Sequence, residues 1–305
     1  MAVAIGRVGL EPLRPDQAEE VFHYWQRAHP LHPLELWMLK ERLFGPPPAD
    51  PDLLLAARGA GDELVGLAAG VDPCRKGGVG DVRWLGALPG PDWETVLRRL
   101  SDELSLRLTA RGAREIHLFA TPPHYLRPGV DTRETRLIAT LQEMGWGHSA
   151  TYFNMTCDLD SWSSPGEAAI FGDVDGYRVR RGHLGEGEAL RELIEREWTV
   201  TWRDAATLGL GHEPVGVFVA EKEGELVGFS AYEVDQCVGS FGPTGVAPAH
   251  RGHGLGARLL WSCLDDLQKK RRKECQIGWV GPVGFYHRAC GAVLGPAYWM
   301  MSRKT

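Results

Sequence analysis

The feature that most constrains this chain is an internal repeat. Glu63-Leu64-Val65-Gly66 follows the apolar run Leu53 to Ala57, and Glu225-Leu226-Val227-Gly228 follows Val217-Phe218-Val219-Ala220, so one hairpin design occurs twice. Further along, Gly145-x6-Tyr152-Phe153-x-Met155 is echoed by Gly291-x6-Tyr298-Trp299-x-Met301. Between the copies, residues 159–175 mix Ser, Gly, Pro and Asp, which is linker chemistry. At roughly 100 to 200 residues per domain, the 305 residues accommodate two copies of one fold, expected at 1–158 and 176–305.

Composition narrows the class. With 43% hydrophobic and 24% charged residues the chain is globular, and its apolar runs fall well short of the ~20 residues of a membrane span. Met1 to Pro15 carries no basic start followed by an apolar stretch, so a cytoplasmic location without a membrane partner is expected. Cys74, Cys157, Cys237, Cys263, Cys275 and Cys290 form no C-x-x-C pair, which argues against a zinc site or a disulfide framework and reads as reduced core residues. No metal is expected. The net charge of −6 gives no attraction for nucleic acid. The one basic run, Lys269 to Lys273, reads as the end of a helix, where cations suit the dipole.

In the second copy the spacing predicts a strand at 177–181, a helix at 186–198, an irregular helical stretch to about 210 and strands at 215–221, 225–234 and 238–246. A long helix at 252–272, a strand at 275–280, a short helix at 282–290 and a closing strand at 293–301 follow. The first copy gives the same order, with helices at 16–28 and 33–44, strands near 53–58, 63–71 and 81–88, a helix at 92–111, a strand at 114–121, a helix at 132–144 and a closing strand. This is an α/β fold with a mixed sheet.

Chemistry concentrates where a strand gives way to the long helix, in Thr244-Gly245-Val246-Ala247-Pro248-Ala249-His250-Arg251-Gly252-His253-Gly254-Leu255-Gly256-Ala257. Glycines at 252, 254 and 256 remove the Cβ atoms that keep a ligand from the backbone, and they leave N–H groups free at the positive end of a helix. That is an anion cradle suited to a pyrophosphate, with Arg251 at its lip. The pattern Gly252-x-Gly254-x-x-Ala257 also fits a dinucleotide fingerprint, but only about 50 residues follow, too few for that fold's remaining parallel strands.

This segment resembles the acyl-coenzyme A motif of the GNAT N-acetyltransferases, V-x-P-x-x-R-G-x-G-x-G/A, matched by Val246, Pro248, Arg251, Gly252, Gly254 and Gly256. The resemblance implies two tandem GNAT-like acyl-CoA N-acyltransferase domains. It also implies acetyl-CoA as co-substrate, held by Thr244, Gly245, Val246, Arg251, Gly252, His253, Gly254, Leu255, Gly256 and Ala257. A small-molecule or peptide amine would be the acceptor, and the chain would be a monomer or homodimer. A backbone N–H near Val246 would polarise the acyl carbonyl.

Tyr286 resembles the family's tyrosine on the helix after the fifth strand and is the candidate acid for the leaving thiolate. It precedes Gly291 by five residues where the family has four, and a core aromatic is the competing reading. Glu233 and Asp235 read as solvated turn carboxylates or as a water-linked base, and His250 and His253 as exposed loop residues. A non-catalytic acyl-CoA sensor stays open as the second functional class.

Aligning Pro89 with Pro248 sets Asp92 opposite Arg251, Trp93 opposite Gly252, Thr95 opposite Gly254 and Leu97 opposite Gly256, so the first copy has lost the cradle. Asp92 is expected to cap the helix there. The loop from Pro122 to Asp131 is rich in polar and aromatic side chains at a strand end. It reads either as a ligand-contact loop or as a rigid Pro-rich connection.

Overall fold

The computed structural model describes residues 8–45, 50–73, 77–119 and 125–305; Cys74 and the Pro122–His124 part of the loop singled out above lie outside them. In chain order the elements are β1 (Gly9–Pro12), α1 (Ala18–Ala28), α2 (Leu36–Phe44), β2 (Leu54–Arg58), β3 (Leu64–Val71), β4 (Val79–Ala87), α3 (Trp93–Ala110), β5 (Glu115–Leu118), β6 (Val130–Asp131) and α4 (Thr135–Glu143). Next come β7 (Gly147–Asp158), α5 (Glu167–Phe171), β8 (Tyr177–Arg181), α6 (Gly187–Glu197), α7 (Val200–Gly209), β9 (Val217–Lys222), β10 (Glu225–Tyr232) and β11 (Ser240–Val246). The last elements are α8 (Leu255–Lys269), β12 (Glu274–Ile277), α9 (Val283–Cys290) and β13 (Val293–Lys304).

Two compact units form, and their boundary differs from the expected one. The first unit runs to Tyr152 and takes back Ala297–Thr305; the second is Phe153–Pro296. In the first, β1 to β4 pair antiparallel in sequence order, β4 pairs β5 in parallel, and Ser302 to Lys304 of β13 close the sheet against β5. In the second, β8 to β11 pair antiparallel, β11 pairs β12 in parallel, and Met155 to Asp158 of β7 close the sheet against β12. The repeat is therefore real, but each copy is closed by the strand that the sequence assigns to the other. The Gly145 and Gly291 motifs mark those two strands.

The sheet of the second unit is buried on both faces because side chains alternate along each strand. Phe218 and Ala220 join Leu259, Leu260, Leu264 and Leu267 of α8, whereas Val217, Val219, Phe229 and Ala231 join Leu190 and Ile194 of α6 with Ala205 and Ala206 of α7. The segment expected as a linker is ordered structure in this unit. Leu159 is buried, α5 lies within it, and Arg258 of α8 donates through Nε to the Ile170 carbonyl at 2.9 Å.

Asp92 takes the N-cap position of α3, but its side chain makes no capping bond. Its neighbours do close the turn, since Leu97 is fully buried and Trp93 lies under the Arg136 guanidinium at 4.3 Å. Glu233 corrects a further expectation. It is 1% exposed, accepts from Arg272 Nε at 2.9 Å, from Lys270 Nζ at 3.1 Å and from the Gly239 N–H at 3.0 Å. Asp235 is likewise buried. Two members of the basic run thus face inward at the end of α8, while Lys269 pairs Asp265 and Lys273 pairs Asp160.

Glu233→Ala would leave those two cations without their buried carboxylate and the Gly239 N–H without its acceptor. Equilibrium urea unfolding should show a loss of about 3 kcal/mol.

Candidate functional site

The site begins with a departure in pairing. Strand β11 pairs β12 only at Ser240 and Phe241, and then bends. Tyr232 of β10 faces Phe241 and Ser230 faces Thr244, so Gly242 and Pro243 together oppose the single residue Ala231. Such a bulge turns a strand, and Pro243 has no N–H to give the ladder. From the other side β12 turns away after Ile277. Trp279 adopts φ 45° and donates its N–H to Asn154 Oδ1 at 3.1 Å, while Asn154 Nδ2 donates to Gln236 Oε1 at 3.0 Å.

Beyond the bulge the register with β10 decides which way the backbone of β11 points. The Ala247 N–H donates to the Val227 carbonyl at 2.9 Å, so Gly245 also bonds toward β10, and the intervening N–H groups of Thr244 and Val246 face the opposite, open side. The Thr244 hydroxyl is tied back to the Phe229 carbonyl at 3.0 Å. Arg251 turns back the same way, its Nε donating to the Val246 carbonyl at 3.1 Å.

The glycines then do what their spacing implies. Gly252 has φ 90° and Gly254 φ 71°, backbone conformations that disfavour side chains, and a Cβ built on either meets nothing within 4 Å. Gly254 is the N-cap of α8 and offers no side chain to cap it, so the N–H groups of Leu255, Gly256 and Ala257 point out of the helix end without intrahelical acceptors. Gly252 and Gly254 precede this helix and Gly256 lies in its first turn, which corrects the expected start at 252. The Leu255 side chain is buried, leaving only its backbone to the site.

Helix α9 packs across the same end of α8. The Phe285 ring lies 3.5 Å from the position of a Gly256 Cβ, and Tyr286 meets Phe241 edge-on at 6.2 Å between ring centroids. Tyr286 is 7% exposed and shares its buried cluster with Leu255 and Leu259. Burial, followed by the neighbouring thiols of Cys275 and Cys290, pushes its phenol well above the ordinary tyrosine value. The two flanking histidines are half-buried rather than exposed. His250 Nδ1 lies 3.1 Å from the Tyr177 hydroxyl, and His253 packs against the Tyr177 ring at 4.7 Å and pairs with Asp175 at 3.4 Å.

Sequence reasoning missed the tryptophans. Trp198 lies over β11 so closely that a Cβ on Gly245 would sit 2.4 Å from its Cζ2. It stacks on Trp202 at 6.1 Å and meets Phe229 edge-on at 5.5 Å. The absent side chain at position 245 is the only local trace of this in the sequence. Among the described residues no group of His, Cys, Asp or Glu is placed to hold a metal ion, and no helix is long and apolar enough to cross a membrane.

A mixed sheet with a bulged strand running into a glycine-rich helix N-terminus defines a GNAT-type domain, and comparison with known proteins agrees. The sequence model of the acetyltransferase (GNAT) family matches residues 186–292, which lie within the second unit. An uncharacterized N-acetyltransferase of Archaeoglobus fulgidus is 34% identical over 86 residues, which cover 26% of this chain and 58% of that protein. The glucosamine N-acetyltransferase region of a fungal multi-domain GH3 beta-N-acetylglucosaminidase superposes with a TM-score of 0.73 at 19% identity, over 99% of this chain and 39% of that one. A tandem GNAT protein from the clavulanic acid biosynthesis pathway superposes with a TM-score of 0.71 at 16% identity, over 98% of each chain. This chain therefore spans little more than half of the curated relative and well under half of the fungal protein, and at these identities the two structures attest the fold alone: two GNAT-like domains in tandem.

Gly245→Ala should force the Trp198 indole out of its stack. A thermal melt should show a loss of about 2 kcal/mol, the usual cost of overpacking, and the near-ultraviolet dichroism of the tryptophan pair should change.

Proposed function

We propose that the second unit transfers an acetyl group from acetyl-CoA to a primary amine by direct attack. The observation that carries this reading is the open edge of β11 at Thr244 and Val246, followed, after a single turn of 3-10 helix at Pro248–His250, by the left-handed glycine turn at the head of α8. The N–H groups of the first turn of α8 would receive the pyrophosphate, and the field of the helix favours its charge. Strand-like pairing with the β11 edge would hold the arm that carries the thioester.

The chain's own groups then account for the charge on the acyl oxygen and for the proton taken by the thiolate, while the proton that the amine gives up as it becomes an amide passes to water. As the amine nitrogen bonds to the acyl carbon, the carbonyl oxygen becomes negative and takes a hydrogen bond from the fixed N–H of Val246. When the carbon–sulfur bond breaks, the thiolate needs a proton, and Tyr286 Oη would supply it. Its raised pKa keeps that phenol protonated at neutral pH, the form an acid needs. Glu233 is committed to Lys270 and Arg272, so we do not assign it as the base for the amine. The first unit has Trp93 and the buried Leu97 where the cradle would be, so it takes no coenzyme A in this scheme.

Calorimetry should give one coenzyme A per chain. Gly254→Asp should abolish that binding while the chain still folds, with a modestly lowered melting temperature, because aspartate is among the residues that visit left-handed backbone at small cost and its Cβ has open space, while its charge opposes the pyrophosphate. Two equivalent sites in the unaltered chain, or undiminished affinity in the variant, would place the ligand elsewhere.

Tyr286→Phe keeps the packing of the ring and removes only the proton. Acetyl-CoA affinity should hold while kcat falls by roughly 10²-fold, and the deficit should shrink with thioesters of more acidic thiols. A kcat per folded molecule equal to the unaltered enzyme's would make Tyr286 a core aromatic and no more.

A further inference from the structure

In the loop of the first unit that stood out for its polar and aromatic content, the described part is not a surface connection. From Tyr125 to Asp131 every residue is buried, and Arg127 is 1% exposed. Its guanidinium lies over the Phe119 ring at 4.1 Å and over the Trp84 ring at 4.6 Å, and Nη1 is bonded to the Glu134 carboxylate. The other edge, Nε with Nη2, has no hydrogen-bond partner among the described residues. Those two N–H groups are parallel donors, a fork that matches the two oxygens of a carboxylate.

A second buried group next to it is also unsatisfied. His29, 6% exposed, meets Trp84 edge-on at 4.2 Å, and neither of its ring nitrogens has a partner among the described residues. The glycine at position 86 makes the approach possible, since a Cβ there would lie 2.7 Å from His29 Nε2 and 3.1 Å from Trp84 Nε1. Burial, reinforced by Arg127, holds the His29 pKa well below the ordinary histidine value, so the ring is neutral and presents one donor and one acceptor. An unfilled guanidinium fork and an unfilled imidazole, both against one indole inside a protein, carry a desolvation cost that a bound group would offset.

We propose that the first unit holds a small monocarboxylate, its two oxygens on the Nε and Nη2 of Arg127 beside the rings of Trp84 and Phe119, with His29 as the neighbouring polar group. The apolar rings exclude a fully hydrated anion such as phosphate, and the single free fork sets the valence at one carboxylate. The unit that has lost its coenzyme A cradle thus keeps a binding function of its own.

Benzoate titrated calorimetrically into the full-length protein should bind with a stoichiometry of one, and benzyl alcohol, which has the ring without the charge, should bind at least tenfold more weakly. Arg127→Lys retains the charge and loses the fork, so it should weaken benzoate at least tenfold at an unchanged far-ultraviolet dichroism. His29→Phe keeps a ring against Trp84 and should weaken it at least threefold, which preserves the test should the lysine variant fail to fold. Absence of benzoate binding at millimolar concentration, equal binding of benzyl alcohol, stronger binding of inorganic phosphate, or unchanged affinity in the folded variants would each overturn the site.

Discussion

Neighbouring strands can share hydrogen bonds only while their backbones keep step, and in the second unit β11 falls out of step with β12 after Phe241. Two side chains enforce this from opposite sides. Pro243 has no N–H to offer a ladder, and Asn154 captures the Trp279 N–H and so fixes the turn that carries the chain away from β11. The amides of Thr244 and Val246 are left facing outward, in a region where backbone groups otherwise pair. Everything chemical about the unit follows from that unpaired edge. It lies one turn from the glycines at 252 and 254, and helix α9 brings Tyr286 beside Phe241, where the pairing stops.

The first unit keeps the strand order and the parallel pair without the opening chemistry. At the head of α3, Trp93 and Leu97 take up the volume that Gly252 and Gly256 leave free at the head of α8. The helix end has become core. This unit nevertheless buries polar groups, on the loop of Arg127 and Asp131 and, after α1, at His29 and His32. Both copies of the backbone plan therefore bury polar groups, and what separates them is the head of the long helix, open at Gly254 and filled at Trp93 and Leu97.

What the sequence revealed divides by distance along the chain. The glycines of the cradle, the start of α9 after Pro282 and the order of the strands depend on neighbours a few residues away, and local spacing reports them faithfully. Trp198 over Gly245 joins residues 47 positions apart, and nothing near either one signals the contact. Glu233 carries the composition of a solvated turn, and its burial comes from two cations at the far end of α8. The Ser- and Pro-rich stretch before β8 reads as linker because its apolar residues are scattered among turn formers, yet Leu159 and Ile170 are buried and Arg258 holds the carbonyls of Ile170 and Gly172. The repeat itself was legible; which copy each closing strand completes was not, because β7 and β13 share one pattern.

That last ambiguity bears on how such a chain emerges from the ribosome. Met155 to Asp158 come off ahead of the unit they complete, whereas Ala297–Thr305, which complete the first unit, are made after the whole of the second. Synthesis runs at about 5 to 20 residues per second, so the edge of β5 waits on the order of ten seconds for its partner strand while the rest of the first unit is already outside. A nascent chain of this design carries an unpaired sheet edge through most of its translation, and the order of birth of its halves is the reverse of the order in which they can be finished.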